Sequence, residues 1–408
     1  MLRFTLFFLI TVLCVPPAAA QKKAVFIILD GIPADVLENT PTPVLDEIAG
    51  TGKTGYTRGY IGGEKDGYSQ SPTISAVGYN HVLTGTWTNK HNVWDNDIKA
   101  PNYNYWNIFR IVKTVKPGAA TAIFSTWLDN RTKLIGEGLA EAGNIKLDYS
   151  FDGFELDTRQ FPHDKERIFI FNIDEKVSTE AGRYILEQGP DLSWVYLEYT
   201  DDMGHTFGDS PQLTDAVKKA DVQVGRVWDA IKKRTQQYGE EWMIVITTDH
   251  GRDAKTGKDH GGQGERERTV WFVTNVTTNS RFKQTPATVD VMPSILRHLD
   301  ITAPEKVMSE VDGVPFVGPV SISDVKALRK GNTIEVSWKA HDPDGKVKIE
   351  LSSTNRFKEG GIDQYKTAGE APVSSEKYVI QLPANESSAF FKVLVKAPHN
   401  TLSYWITK

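Results

Sequence analysis

The chain has 408 residues, with 47 Lys and Arg against 52 Asp and Glu, a formal net charge of −5 at pH 7. That length holds one large α/β domain with a small companion, or two to three ordinary domains. The slight acidity excludes the basic surface of a nucleic-acid binder, and 39% hydrophobic and 24% charged residues describe an ordinary soluble protein.

Residues 1–20 read as a secretory signal. Arg3 gives a thin positive start, Phe4 to Val15 an apolar stretch, and Ala18-Ala19-Ala20 small residues for cleavage before Gln21. The apolar part is too short to span a bilayer, and a retained N-terminal anchor is the alternative. The only cysteine, Cys14, falls inside this segment, so metal ligands of the mature chain must be histidine and carboxylate. A secreted or periplasmic protein without a membrane span in its mature chain is expected.

Ala24 to Leu29 is an unbroken apolar run that predicts a central parallel strand ending at Asp30-Gly31. Such an aspartate can equally open a turn. A short helix is expected over 41–50 and a Gly- and Tyr-rich loop over 56–70. From Ser75 a short helix is expected to run to Thr84-Gly85, followed by an aromatic, polar loop over 86–96. Strands are predicted over 119–125 and 194–199, an irregular excursion over 129–161 and a helix over 178–188. Leu213, Val217, Ala220, Val224, Val227 and Ile231 step by three and four, one face of an amphipathic helix. Met243 to Ile246 predicts a buried strand, 269–273 another, and 289–299 a helix.

This alternation implies an α/β fold, a mostly parallel sheet with helices on both faces. After Gly318 short β-rich runs (333–338, 347–351, 378–382, 390–395, 402–406) are separated by turn clusters such as Asp342-Pro343-Asp344-Gly345, which suggests an all-β sandwich. The expected division is a leader over 1–20, an α/β domain over 21–318 and a sandwich over 319–408.

Four segments at carboxyl ends of strands carry chemistry: Asp30; Ser75; Asp201 with His205 across a glycine-containing turn; and Asp249-His250 with His260. In open α/β sheets these ends form the ligand crevice. Two imidazoles and a carboxylate on one loop suit a divalent metal such as zinc, although a polar surface loop is the plainer reading. The whole set suits two adjacent ions, which can clamp the attacking and leaving oxygens of an in-line displacement. Ser75 at a helix N-terminus would add N–H groups for an anionic, phosphate-like group, or would simply cap the helix. Thr73 is a rival nucleophile, and the residues alone do not choose between them.

Ile28-Leu29-Asp30-Gly31, the segment running into Leu83-Thr84-Gly85, Asp201 through His205, Thr248-Asp249-His250-Gly251 and His260-Gly261 together resemble the alkaline phosphatase superfamily, most closely its nucleotide pyrophosphatase/phosphodiesterase-like branch. The resemblance covers Ala24 to Gly318, where Asp312-Gly313-Val314-Pro315-Phe316 fits the way such domains end. It implies one metal held by Asp201, His205 and His260, a second held by Asp30, Asp249, His250 and the nucleophile, and zinc as the first choice for both. Counting back from Leu83-Thr84-Gly85 places the nucleophile at Ser75, and Asn96 falls where the branch has an asparagine that binds a phosphoryl oxygen. The implied reaction is hydrolysis of a small phosphate ester or nucleotide through a phosphorylated hydroxyl.

Serine stands where the branch usually has threonine, and Ala76-Val77-Gly78 replaces its Phe-Pro-Asn-like continuation. The sulfatase signature is missing. Related monoesterases use a Lys or Arg to meet the extra phosphate charge, and Arg131 and Lys133 are the candidates here, with solvated loop charges as the alternative. His91 could line the pocket, whereas His81 reads as structural. Arg252 would touch substrate or pair with Asp253. Trp87 and Trp94 read as core, with an apolar wall for a leaving group as the sharper alternative. The β-sandwich resembles fibronectin type III. The competing functions are a phosphomonoesterase or phosphotransferase of the same superfamily, and a non-catalytic surface- or carbohydrate-binding protein.

Overall fold

The computed structural model describes residues 20–407, so the expected leader lies outside the described residues apart from Ala20. Strand β1 (Lys22–Leu29) is apolar from Ala24 onward because those residues alternate between two cores. Phe26 and Ile28 join Leu83, Trp194 and Val245 on one face; Val25, Ile27 and Leu29 join Ile173, Val224 and Ile246 on the other. Helices Ser75–Thr84, Ile108–Val115 and Val291–His298 cover the first face, and Pro43–Ala49, Ile168–Gln188 and Pro211–Tyr238 the second. A strand covered on both faces needs this continuous apolar run.

β2 (Tyr56–Tyr60), β3 (Thr121–Ser125), β4 (Tyr149–Phe151), β5 (Leu192–Leu197), β6 (Glu241–Thr247) and β7 (Thr269–Thr274) complete a seven-stranded sheet in the order β2-β7-β6-β1-β5-β3-β4. It is parallel from β6 to β4, and only β7 runs against its neighbours β6 and β2. The α/β class is therefore as expected. Ile28 of β1 faces both Tyr196 of β5 and Thr247 of β6, so three neighbouring strands deliver their carboxyl ends to one place.

The C-terminal part holds β8 (Ile322–Lys330), β9 (Thr333–Ala340), β10 (Lys346–Ser352), β11 (Lys366–Pro372), β12 (Lys377–Gln381), β13 (Phe391–Lys396) and β14 (Thr401–Ile406). They form a four-stranded sheet, β11-β10-β13-β14, and a three-stranded one, β12-β9-β8, antiparallel throughout. Ile334, Val336, Trp338, Val347, Ile349 and Val393 contribute to their common core.

Several local expectations need correction. Residues 56–60 are an edge strand and not loop, and the excursion over 129–161 contains β4 and a short helix over Asn130–Ile135. The helix expected from 178 begins at Ile168, and the strand expected to reach 199 stops at Leu197. β8 and β11 carry no clear alternation, because a bulge interrupts each pairing and β11 also holds Gly369 and Pro372. Among the described residues no helix is long and apolar enough to cross a membrane.

The main difference concerns Asp201 and His205, which lie within a helix, Tyr199–Phe207, and not across a turn. Asp174 of the Ile168–Gln188 helix accepts from the N–H groups of Glu198 (3.1 Å) and Tyr199 (2.9 Å) and from Thr126 Oγ1 (2.5 Å). It thereby satisfies backbone donors that the new helix leaves open. Burial pushes this carboxyl up from 3.8 to about 7. Below both values each state is protonated; between them the unfolded chain ionises and the folded one does not, so stability falls as pH rises through that window. Asp174→Asn should make this decline shallower, with Asp30 and Asp249 keeping their own share of it. Denaturant unfolding at about pH 4.5 and 7 checks it, and a variant with the parent's pH dependence would place the titration elsewhere.

Candidate active site

Asp30 directly follows β1, Asp249 lies just past β6, and Asp201 and His205 occupy the helix that follows β5. Because these strands are neighbours, the side chains meet at one edge of the sheet, opposite the start of the Ser75–Thr84 helix. His250 Nε2 lies 3.2 Å from Asp249 Oδ2, 3.6 Å from Asp30 Oδ1 and 3.3 Å from Ser75 Oγ. His205 Nε2 lies 3.2 Å from Asp201 Oδ2 and 3.1 Å from His260 Nε2. The His250 and His260 rings stack with centroids 3.7 Å apart and join the two groups. Candidate ligand atoms of Asp30, Asp249 and His250 fall within 4.8 Å of one another, as do those of Asp201, His250 and His260. His250 is thus shared between the two groups. Asn96 joins them by accepting the Ala76 N–H at 3.0 Å.

Arg131 and Lys133 lie outside this cluster, with Lys133 Nζ 3.4 Å from the carbonyl of Asp97, beside Asn96. Arg131 is bound by Asp152 at 2.7 Å and Glu137 at 2.9 Å, and Lys133 pairs with Asp129 at 2.8 Å. Both are on a short helix, and their charges are met by carboxylates. His91 is buried and accepts the Val93 N–H through Nδ1, and Trp87 packs on Tyr60 and His81, so neither lines the site. Trp94 is exposed, with its Nε1 donating to Asn92.

The imidazoles are oriented from behind. His250 Nδ1 donates to the Gly251 carbonyl and His260 Nδ1 to the Thr73 carbonyl, each at 2.9 Å, which leaves both Nε2 lone pairs facing the cluster. Thr73 Oγ1 donates to Gly262 O and accepts the Gly261 N–H, both at 2.9 Å. Its hydroxyl is therefore occupied, whereas that of Ser75 faces His250.

Burial pushes the Asp30 carboxyl well up, reinforced by Asp249 and Asp201, and burial with the nearby Asp201 raises Asp249 to about 7. Burial also works to raise Asp201, but His205, Arg252 and His250 outweigh it and hold that carboxyl low. Asp30 Oδ1 and Asp249 Oδ2 are buried without a hydrogen-bond partner from the protein. Buried carboxylate oxygens ordinarily have one, so the pair calls for a cation. Carboxylate oxygens with imidazole nitrogens are the donor set of zinc and its neighbours, and the residues present fit such an ion.

Three supporting side chains were not singled out for these roles. Tyr79 and Tyr196 (2.6 Å) both donate to Asp30 Oδ2. Tyr79 stands four residues after Ser75, on the same helix face, which was the available signal. Arg252 is fully buried; its guanidinium donates to Gly31 O (2.9 Å), Lys258 O (2.8 Å) and Asp201 O (2.8 Å) and pairs with the Asp201 carboxylate. It pairs with Asp201 and not with Asp253. A Cβ at Gly204 would collide with this guanidinium, so the glycine that suggested a turn is there for close approach. Gly78 is constrained likewise, since a Cβ there would sit 2.6 Å from Asp249 O.

A mostly parallel α/β sheet whose carboxyl edge sets a hydroxyl among carboxylates and imidazoles is an architecture suited to phosphoryl transfer. The chain belongs to the type I phosphodiesterase / nucleotide pyrophosphatase family, whose model matches residues 24–311, and it is a phosphoric ester hydrolase. No curated protein matches it by sequence. Among solved structures it is similar to murine ectonucleotide pyrophosphatase / phosphodiesterase 5, at 14% identity and TM-score 0.47 over 69% of this chain and 96% of that one. The human form gives 15%, 0.47, 69% and 96%. An alkaline phosphatase superfamily protein from Vibrio parahaemolyticus gives 14% and 0.46 over 79% and 78%.

Arg252→Leu removes the cation that holds Asp201. Activity should fall about 10- to 100-fold, with a matching rise in the divalent-ion concentration needed for half-maximal rate. A divalent-ion titration with a chromogenic phosphate ester reads both, and an unchanged ion requirement would leave Arg252 with packing alone.

Proposed function

We propose that the protein is a secreted, metal-dependent type I phosphodiesterase that hydrolyses small phosphate diesters or nucleotide pyrophosphates through a phosphorylated Ser75. The observation that carries this reading is the convergence of six acidic and imidazole side chains beside the Ser75 hydroxyl, with two buried carboxylate oxygens lacking any protein donor. Asp201, His205 and His260 would hold one divalent ion and Asp30, Asp249, His250 and Ser75 a second, zinc in both cases. Such ions supply positive charge to the phosphoryl oxygens and lower the pKa of a hydroxyl.

The chain's own groups do the rest. Ser75 is the first residue of its helix, where unpaired N–H groups and the helix dipole favour an anion. Ser75 Oγ bonds to phosphorus as the ester P–O bond breaks and the leaving alcohol departs; water then cleaves the phosphoserine and restores the hydroxyl. Asn96 must present Oδ1 to the Ala76 N–H, which leaves its Nδ2 to donate to a phosphoryl oxygen. A monoester carries one more charge, and the cations that would meet it, Arg131 and Lys133, are paired with carboxylates. This favours diesters. We assign residues 21–318 to the hydrolase domain and 319–408 to a fibronectin type III-like domain, and secretion rests on the leader pattern over 1–20.

Side-by-side hydrolysis of a chromogenic diester and monoester tests this reading. Chelator should abolish turnover and zinc restore it, the diester should be the faster substrate, and Ser75→Ala should lower kcat by about three orders of magnitude or more. A metal-loaded protein that turns over neither ester would overturn the catalytic assignment of Ser75.

A further inference from the structure

The loop that carries Asn96 is held at its neck by the C-terminal β domain. Lys90, in the short helix Thr88–His91, has no solvent exposure. Its ammonium donates to Glu310 O (2.7 Å) and Asp312 Oδ1 (2.7 Å) at the end of the α/β domain and to Ser403 Oγ of β14 (3.1 Å), three donors meeting three acceptors, and lies 5.4 Å from the centre of the Trp405 ring. Beside it Lys392 of β13, also fully buried, binds Glu310 Oε1 (2.6 Å) and Asp363 (2.7 Å). Glu310 therefore lies between an ammonium from each part of the chain. On the other side of the neck, Asn102 Nδ2 (2.8 Å) and Asn104 Nδ2 (3.1 Å) donate to the Lys358 carbonyl, and Lys358 Nζ reaches Asn89 O at 3.3 Å.

Between these anchors the loop closes on itself. Asn102 N donates to His91 O (2.8 Å) and Asn92 Nδ2 to Ala100 O (2.8 Å). Asn96 projects from the exposed part of this closed loop to the Ala76 N–H, next to Ser75. A buried ammonium tolerates little displacement, because a shift leaves it or its carboxylate partner uncompensated. It therefore sets register more strictly than an apolar contact would.

We propose that Lys90 is a positioning residue that, at the junction of the α/β and C-terminal β domains, fixes the Asn96 loop against the first turn of the Ser75 helix. The proposal rests on the reading of Ser75 and Asn96 given above.

The test is a double-mutant cycle in the full chain with the zinc-loaded protein and a chromogenic diester. Lys90→Met should lower kcat about tenfold or more, as misplacement of a catalytic group does. Asn96→Ala should lower kcat by itself, and Lys90→Met should then add nothing in the Asn96→Ala background. Independent, multiplying losses would overturn the proposal, as would a folded Lys90→Met variant with the parent's kcat. An Asn96→Ala variant as active as the parent would refute the assignment of Asn96 itself, a distinct result. If Lys90→Met does not fold, Asn102→Ala, half-buried at the loop's neck, takes its place in the same cycle with the same outcomes.

Discussion

Asp30, Asp201 and Asp249 are brought together with little solvent at the ends of three adjacent strands, and much of the surrounding structure answers that crowding of negative charge. Burial raises the cost of ionising Asp30 and Asp249, and the neighbouring carboxylates add to it. The protein's own compensation is partial. Two tyrosine hydroxyls serve one oxygen of Asp30, the Gly31 N–H serves one oxygen of Asp249 (3.0 Å), and Arg252 serves Asp201. One oxygen of Asp30 and one of Asp249 are left without a protein donor, both toward His250. The same demand explains Gly204, since a guanidinium can reach Asp201 only where the helix has no side chain in the way.

The nucleophile candidate is held by a different device. Ser75 opens a helix whose buried body packs into the core beneath the sheet, and Gly78 lets that helix approach the backbone of Asp249. The chain on either side of the helix is then tied to the C-terminal domain. Tyr68 packs on Tyr404 and Trp405 ahead of it, while Lys90, Asn102 and Asn104 are bound after it. Ion pairs buried at such a junction contribute less to net stability than to fixing one arrangement over its alternatives.

How much of this could be read in advance depended on how local the physical cause is. The run from Ala24 to Leu29 declares a strand buried on both faces, and the three-four stepping from Leu213 to Ile231 declares a helix, because burial on a regular element leaves a period in the residues. The edge strand β2 leaves no such period, with Gly59 where a side chain would meet Phe272 and only one fully buried position. The helix bearing Asp201 and His205 was misread because its backbone donors are met by Asp174, from a helix earlier in the chain, and its glycine answers an arginine that follows β6.

The amino-acid sequence alone determined the kind of sheet, the segments that bring carboxylate, imidazole and hydroxyl groups to its carboxyl edge, and the family to which those segments point. The first two follow from periodicity and from residue types at strand ends, both properties of short stretches, and the family from the resemblance of those segments to a known one. The tertiary structure decided which hydroxyl is free, because Thr73 is engaged by Gly261 and Gly262, residues far along the chain. It also decided that Arg131 and Lys133 are paired with carboxylates, that Tyr79, Tyr196 and Arg252 support the carboxylates, and that Ser403 and Lys358 of the β domain contact the neck of the Asn96 loop. Each of these is a pairing between distant residues, and nothing in the composition or spacing of either partner encodes the distance between them once the chain is folded.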